Sequence, residues 1–229
     1  DTDYTQEILA AALHPALSAL QGQCSENIGL QSLETFGVLP HAPAISVVVP
    51  LYREYGFIRH QMHALAFDPD TPMIDLIDVL DQPDDAEKVS RLLQGLHATY
   101  GVPLRLAVME RNGGYAAATN QGADLGRAKH LLLMNSDVVP AGHSWLAPWL
   151  TRHMATENIG ISGPRLLYAD GSLQHAGMFF EDGLMPWWTN DHFYKGLPGD
   201  WPPAKRSRAV PAVTGACAMI ETDLFNRIG

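Results

Sequence analysis

Asn135 and Asp137 flank Ser136 directly after the apolar run 131–134. A carboxylate beside an amide at that point suits a hard divalent cation, since Mg²⁺ takes one or two carboxylates and fills its shell with water and phosphate oxygens. A lone aspartate after a strand is also a common turn or cap residue, so its company matters. The apolar run 45–49 leads into Pro50-Leu51-Tyr52-Arg53-Glu54. Proline removes a backbone N–H and fixes φ, which either ends a strand or leaves an open lip beside Tyr52. The run 73–80 ends at Leu80-Asp81-Gln82-Pro83. Asp81 can accept a hydrogen bond from a base or a ribose hydroxyl, or serve as a turn residue ahead of a cap at Asp84 or Asp85. The run 104–109 leads to Asn112-Gly113-Gly114-Tyr115, with Ala118, Asn120 and Gly122 following. Small residues there let a helix pack close to a sheet, or let an anion approach its N-terminal N–H groups. Neither G-x-G-x-x-G nor G-x-x-x-x-G-K-[ST] follows the first run, which counts against dinucleotide and P-loop sites.

These positions are all ends of expected strands. Near-continuous apolar runs begin at 45, 73, 104 and 130, separated by helical patterns over 57–66, 86–100 and 115–128. That alternation predicts an α/β fold with a mostly parallel, doubly wound sheet covered on both faces, and ligands then bind outside the carboxyl ends of the strands. After Pro140 the alternation fails. Residues 158–163, 173–180 and 209–221 read as strands around a long loop rich in Trp, Pro and Gly, giving a mixed second half. Ahead of the sheet, Ile8, Leu9, Leu13, Leu17 and Leu20 have helical spacing interrupted by Pro15, and 21–44 reads as a connection. The expected division is an N-terminal extension over 1–43 and a main domain over 44–229. Asp75 and Asp78 fall inside the second run, where edge exposure is the simplest account.

Composition bounds the function. The 229 residues are 46% hydrophobic and 17% charged, an ordinary globular balance. The formal charge of −10 argues against binding nucleic acid through its phosphates. Cys24 and Cys217 are too few for a disulfide framework or a four-cysteine zinc site, and Cys217 in an apolar run reads as a small core residue. His60 and His63 share a helical face but lack a further ligand nearby, so a solvated face is expected.

The motifs together resemble family 2 glycosyltransferases of the GT-A fold. The resemblance runs from Ile45 to Gly229. It rests on the strand and lip at 45–52 and on Asn112-Gly113-Gly114-Tyr115 with Ala118, Asn120 and Gly122. It rests also on Asn135-Ser136-Asp137 and on Gly163-Pro164-Arg165-Leu166-Leu167-Tyr168 with Asp170-Gly171-Ser172-Leu173-Gln174-His175-Ala176-Gly177. The last element is Val213-Thr214-Gly215-Ala216-Cys217 with Leu224, Phe225 and Ile228-Gly229. The Asn-x-Asp form and the 163–177 stretch are similar to the rhamnosyltransferase-like subgroup.

That resemblance implies an inverting transfer of a sugar from a UDP- or dTDP-linked donor to a glycan or lipid-linked acceptor, assisted by Mg²⁺ or Mn²⁺. It implies that Asp137 holds the metal, and that Pro50, Tyr52, Asp81, Gly114, Asn120, Asn135 and Ser136 form the donor site. It places acceptor contacts at Trp187, Trp188 and His175. The family's catalytic acid falls after Gly229, which implies a truncated domain within a longer chain. Asp191 and His192 are the in-chain substitutes. A cytoplasmic protein that reaches a membrane surface through a lipid-linked acceptor is expected. The alternatives are a non-catalytic nucleotide-sugar or glycan-binding module and, more remotely, a sugar-phosphate nucleotidyltransferase.

Overall fold

A computed structural model describes Pro15, residues 28–182 and residues 188–228 of the chain. The helical pattern expected over 8–20 lies otherwise outside the described residues. The central sheet has seven strands: β1 (Leu30–Phe36), β2 (Ile45–Leu51), β3 (Ile74–Leu80), β4 (Leu104–Met109), β5 (His130–Met134), β6 (Ile161–Ser162) and, last in the chain, Cys217–Glu221. Two small hairpins lie between: β7 (Leu166–Leu167) with β8 (Leu173–His175), and β9 (Met178–Asp182) with β10 (Trp188–His192). The strand Cys217–Glu221 is thus β11. Sheet order is β1-β4-β3-β2-β5-β11-β6. The four strands β4, β3, β2 and β5 run parallel, while β1 and β11 are antiparallel to β4 and β5.

Sequence explains the parallel core. β-Branched and leucine side chains pack both faces of β2, β3 and β4, which are buried almost throughout. The helix α1 (Ile58–Ala66) buries Ile58, Gln61, Met62 and Leu65, and α2 (Ala86–Tyr100) buries Val89, Leu93 and Leu96. Together with α4 (Leu146–Ala155) they cover one face. The opposite face is covered by α3 (Gly114–Leu125) and the C-terminal α5 (Thr222–Ile228). A Cβ at Gly122 would collide with Val48 and lie 2.8 Å from Val79 Cγ2, so the small residues of α3 bring its backbone down on the sheet. Among the described residues no helix is long and apolar enough to cross a membrane.

Several elements differ from the sequence reading. Residues 30–36, read as connection, form the antiparallel edge strand β1. β2 continues through Pro50, which pairs with Val79, because β5 no longer flanks β2 there and the missing N–H breaks no ladder bond. The strand expected over 173–180 divides at Ala176 and Gly177, where Gly177 has φ +96° and Val210 sits against it. Those expected over 158–163 and 209–221 shrink to β6 and β11. Helix α4 was not foreseen; Asp70 starts it by accepting the N–H groups of Leu146 and Ala147 at 3.0 and 2.9 Å.

Asp75 and Asp78 are interior, not edge residues, being 0% and 2% exposed. Asp75 is bonded to Ser46, Arg105 and Arg127. Asp78 faces the apolar layer, and burial pushes its carboxyl up to about 7. A carboxyl raised in the folded state stabilises less as pH rises, from the unfolded value near 3.8 up to about 7. One pH unit of displacement is worth about 1.4 kcal/mol, so between pH 5 and pH 8 wild type should lose roughly 3 kcal/mol relative to Asp78→Asn. Urea unfolding of both proteins at the two pH values checks this, and a difference independent of pH would contradict it.

Candidate active site

The doubly wound order makes a switch point at β2, which has β3 on one side and β5 on the other. The chain leaves these strands in opposite directions there and opens a crevice at their carboxyl ends. A cavity of about 480 Å³ occupies it. Its walls are Pro50, Leu51, Tyr52, Glu54 and Phe57 after β2, Asp81 after β3, Asn112, Gly114, Tyr115 and Ala118 at α3, and Asn135, Ser136 and Asp137 after β5. Seven of the expected donor-site and metal residues therefore converge: Pro50, Tyr52, Asp81, Gly114, Asn135, Ser136 and Asp137. A larger depression of about 680 Å³ lies against the β7–β8 hairpin and is open and shallow, away from the strand ends. The chemistry favours the smaller crevice.

Asp81 is 4% exposed and spends most of its carboxylate on the start of α3. Oδ1 accepts the Gly113 N–H at 2.7 Å, and Oδ2 accepts the Gly114 N–H at 2.8 Å. The Asn112 side chain donates to the Asp81 carbonyl at 2.8 Å and to Oδ2 at 3.2 Å. The carboxylate thus occupies N–H groups that the sequence reading left for an anion, and it fixes how α3 meets the crevice. Gly114 has φ +80°, a conformation that favours glycine. On the lip, the Glu54 N–H donates to the Tyr52 carbonyl at 2.8 Å. This tight turn puts Arg53 at φ +63° and its guanidinium 4.7 Å from the Tyr52 ring centre.

The Asn135-Ser136-Asp137 turn is anchored from below. The Asn135 N–H donates to the Ala216 carbonyl at 2.8 Å, and the Val138 N–H donates back to the Asn135 carbonyl at 3.1 Å. Gln61, 4% exposed, donates its amide to the carbonyls of Asn135 at 3.0 Å and Val138 at 2.8 Å. Gln61 was missed from the sequence; its only signal is a polar residue within the buried stripe of α1. Gln61→Leu should take this donor from the Val138 carbonyl and leave the Asn135 carbonyl with the Val138 N–H alone, costing about 1–3 kcal/mol. It should also weaken metal binding at the turn. Thermal unfolding and Mn²⁺ titration of the variant check both, and an unchanged metal affinity would contradict the second.

The turn fits a divalent cation. Asn135 Oδ1 is buried and lacks a hydrogen-bond partner, while Asp137, two residues on, is exposed and lines the same cavity. An orphaned acceptor beside a carboxylate matches a hard ion's preference for oxygen. Among the described residues no group of three or more His, Cys, Asp or Glu is placed to hold a metal. The protein would therefore supply one or two oxygens and leave the remaining positions to water and ligand.

Other expected residues lie elsewhere. Asn120 is exposed on α3 and does not line the crevice. His175, expected to contact the acceptor, is 0% exposed with both ring nitrogens bonded inside the chain, so no ring nitrogen is left for a ligand. Asp191 and His192 lie on β10 and are not part of the crevice lining. Trp187 lies outside the described residues, and Trp188 begins β10. His60 and His63 are solvent-exposed, and Cys217 is 2% exposed in the core, where burial pushes its thiol up to about 12. Glu54, Phe57 and Tyr115 line the crevice and were not singled out as site residues.

A mostly parallel sheet with a strand-end crevice and an oxygen-bearing turn is the arrangement expected of the GT-A fold. Residues 46–229 match the family described as Glycosyl transferase family 2, and the chain belongs to that family. It is similar to an uncharacterized protein, y4gI, of Sinorhizobium fredii (strain NBRC 101917 / NGR234), at 24% identity over 82% of this chain and 20% of that protein. It is also similar to the O-antigen biosynthesis protein RfbC of Myxococcus xanthus, at 23% identity over 82% of this chain and 14% of that protein. The chain thus spans a fifth or less of these relatives. A mannosyltransferase, PcManGT, from Pyrobaculum calidifontis, solved with GDP-Man and Mn²⁺, has a similar fold. Its TM-score is 0.57 at 15% identity, covering 98% of this chain and 57% of that one. GalNAc-T7, solved with UDP, GalNAc and Mn²⁺, gives 0.59 at 14% identity, covering 82% and 37%.

Proposed function

We propose that the crevice binds a nucleotide-diphosphate sugar with a divalent cation, and that the chain is the donor-binding part of an inverting glycosyltransferase. The observation that carries this reading is the orphaned Asn135 Oδ1 beside Asp137, in a cavity walled by an aromatic lip and the start of α3. Asp137 and Asn135 hold the cation, which when bound neutralises charge on the departing diphosphate. Tyr52 offers an aromatic face to the base, and Asp81 Oδ1 keeps a lone pair for a base N–H while its other contacts steady α3. Gly114 leaves space for the donor beside that helix, and Ser136 lies at the tip of the turn. The family membership and the Mn²⁺ and nucleotide-sugar complexes of proteins with this fold support the assignment.

The acceptor is a glycan or a lipid-linked saccharide, in keeping with the O-antigen biosynthesis role named for one relative. The base that activates its hydroxyl is assigned to the family's acid following the last helix, since Asp191 and His192 are not part of the crevice. The 163–177 motif favours the rhamnosyltransferase-like subgroup and, with it, a dTDP donor alongside UDP. In this reading 44–229 is the transferase domain and 1–43 an extension that adds β1 to its sheet. The donor is drawn from the cytoplasmic pool.

Calorimetric titration with UDP and dTDP, each with and without Mn²⁺, tests the proposal. Metal-dependent binding of one nucleotide supports it and selects the base. Absence of binding by both at millimolar concentration would contradict it.

A further inference from the structure

We infer that His175 is a positioning residue for the crevice: its buried imidazole fixes the segment 214–216, whose carbonyls tie together the two walls of the site. The inference rests on the proposed donor site for its ligand readout alone; the structural coupling stands apart from it.

The imidazole Nε2 accepts the N–H of Gly177 at 3.2 Å and, at a longer 3.5 Å, that of Thr214. Both contacts need a bare nitrogen, so the ring proton sits on Nδ1, which donates to His192 Nδ1 at 3.0 Å. Burial, and then the adjacent His192, hold the ring down to about 4, which keeps this neutral form at physiological pH. The segment that His175 touches is held at its far end by β11, whose first residue Cys217 pairs with Met134, but has no strand or helix directly before it. The chain approaches β11 through irregular residues 206–216, apart from a bridge between Ala212 and Met178.

Local bonds therefore set its place. Thr214 Oγ1 accepts the Ala216 N–H at 3.3 Å and tightens the turn. The Gly215 carbonyl accepts the Tyr115 O–H at 2.8 Å, on the α3 wall. The Ala216 carbonyl accepts the Asn135 N–H at 2.8 Å, on the metal-turn wall. One three-residue segment thus bridges Tyr115 and Asn135, and the imidazole holds that segment from behind. No ligand needs to reach His175 for this role.

The test compares His175→Leu, which removes the acceptor, with His175→Gln, whose Oε1 can replace Nε2. Amide hydrogen exchange is read by mass spectrometry in peptides covering 110–120, 131–140 and 210–218, and Mn²⁺-dependent nucleotide affinity by calorimetry. Loss of a buried acceptor at this strength should speed exchange in those peptides about tenfold and weaken the nucleotide by a similar factor. His175→Gln should restore both to within roughly threefold of wild type. Wild-type exchange in the leucine variant, or a glutamine variant as impaired as leucine, would overturn the inference. Should His175→Leu not fold, His175→Phe takes its place, keeping a ring of similar volume without the acceptor, with faster exchange at 131–140 expected and unchanged exchange overturning the coupling. If wild type binds neither nucleotide, the donor-site reading fails, while the exchange data still decide the role of His175.

Discussion

Replacing Asp75 with alanine is expected to remove about 3–5 kcal/mol of folding stability, because it leaves a buried arginine without its counter-charge. The Asp75 side chain is fully buried, and that of Arg105 is 8% exposed. Their contact is 2.7 Å, and Arg127 adds a second guanidinium at 2.9 Å. Ser46 donates its hydroxyl to Asp75 at 3.0 Å while accepting the N–H groups of Arg127 and Ala128. One carboxylate thus ties β2, β3, β4 and the exit of α3 together. Burial opposes its ionisation, but Arg127, Arg105 and Ser46 outweigh that and hold the carboxyl below its usual range. A depressed carboxyl contributes stability above its unfolded value, near 3.8, and loses it as pH falls through the folded value. The knot lies at the amino ends of the strands, opposite the crevice. Urea unfolding should show the loss at pH 7, while folded variant protein keeps wild-type nucleotide affinity. A loss under about 1 kcal/mol would show that the pairing only offsets its own desolvation.

Asp137→Ala is expected to behave in the opposite way, with near-normal stability and a loss of metal-dependent nucleotide binding of about 100-fold or more. Its side chain is exposed, so truncation leaves no cavity and no buried partner. Its neighbours are held independently, by Gln61 from α1 and Ala216 before β11. What disappears is the carboxylate beside Asn135 Oδ1. Without that carboxylate the cation, and through it the diphosphate, loses its charged protein ligand; a 100-fold weakening corresponds to about 2.8 kcal/mol. Any sugar-transfer activity should fall at least as far. Binding retained to within threefold would remove Asp137 from the metal site.

Much of this was legible in the sequence because the parallel core is written in near-continuous apolar runs. The runs at 45, 73, 104 and 130 became β2 to β5, and the helical patterns between them became α1 to α3. Once the order is doubly wound, strand ends converge, so Pro50, Tyr52, Asp81, Gly114 and Asp137 could be grouped without seeing them. Edge elements were less legible. β1 is half-exposed, and its Leu30, Leu33 and Phe36 have a spacing that resembles a helix as much as a strand. Pro148 disguised α4, although proline is tolerated in a first turn where the N–H has no partner anyway. Polar roles were harder still. Asp81 was named, but its use as an anchor for Gly113 and Gly114 depends on backbone direction. Asp75 read as an edge residue because its partners Arg105 and Arg127 lie 30 and 52 residues away. His175 drew attention as a ligand contact, and only the fold shows it enclosed.

The central claim is that a divalent cation and a nucleotide diphosphate meet at the turn after β5. Paramagnetic broadening measures this most directly, with Mn²⁺ and the selected nucleotide added to isotopically labelled protein. The account predicts amide broadening centred on 135–137 and extending to 50–57, 81 and 112–118, absent in Asp137→Ala. Broadening centred instead on the depression around Arg165 and Lys205, or unaltered by that substitution, would contradict it.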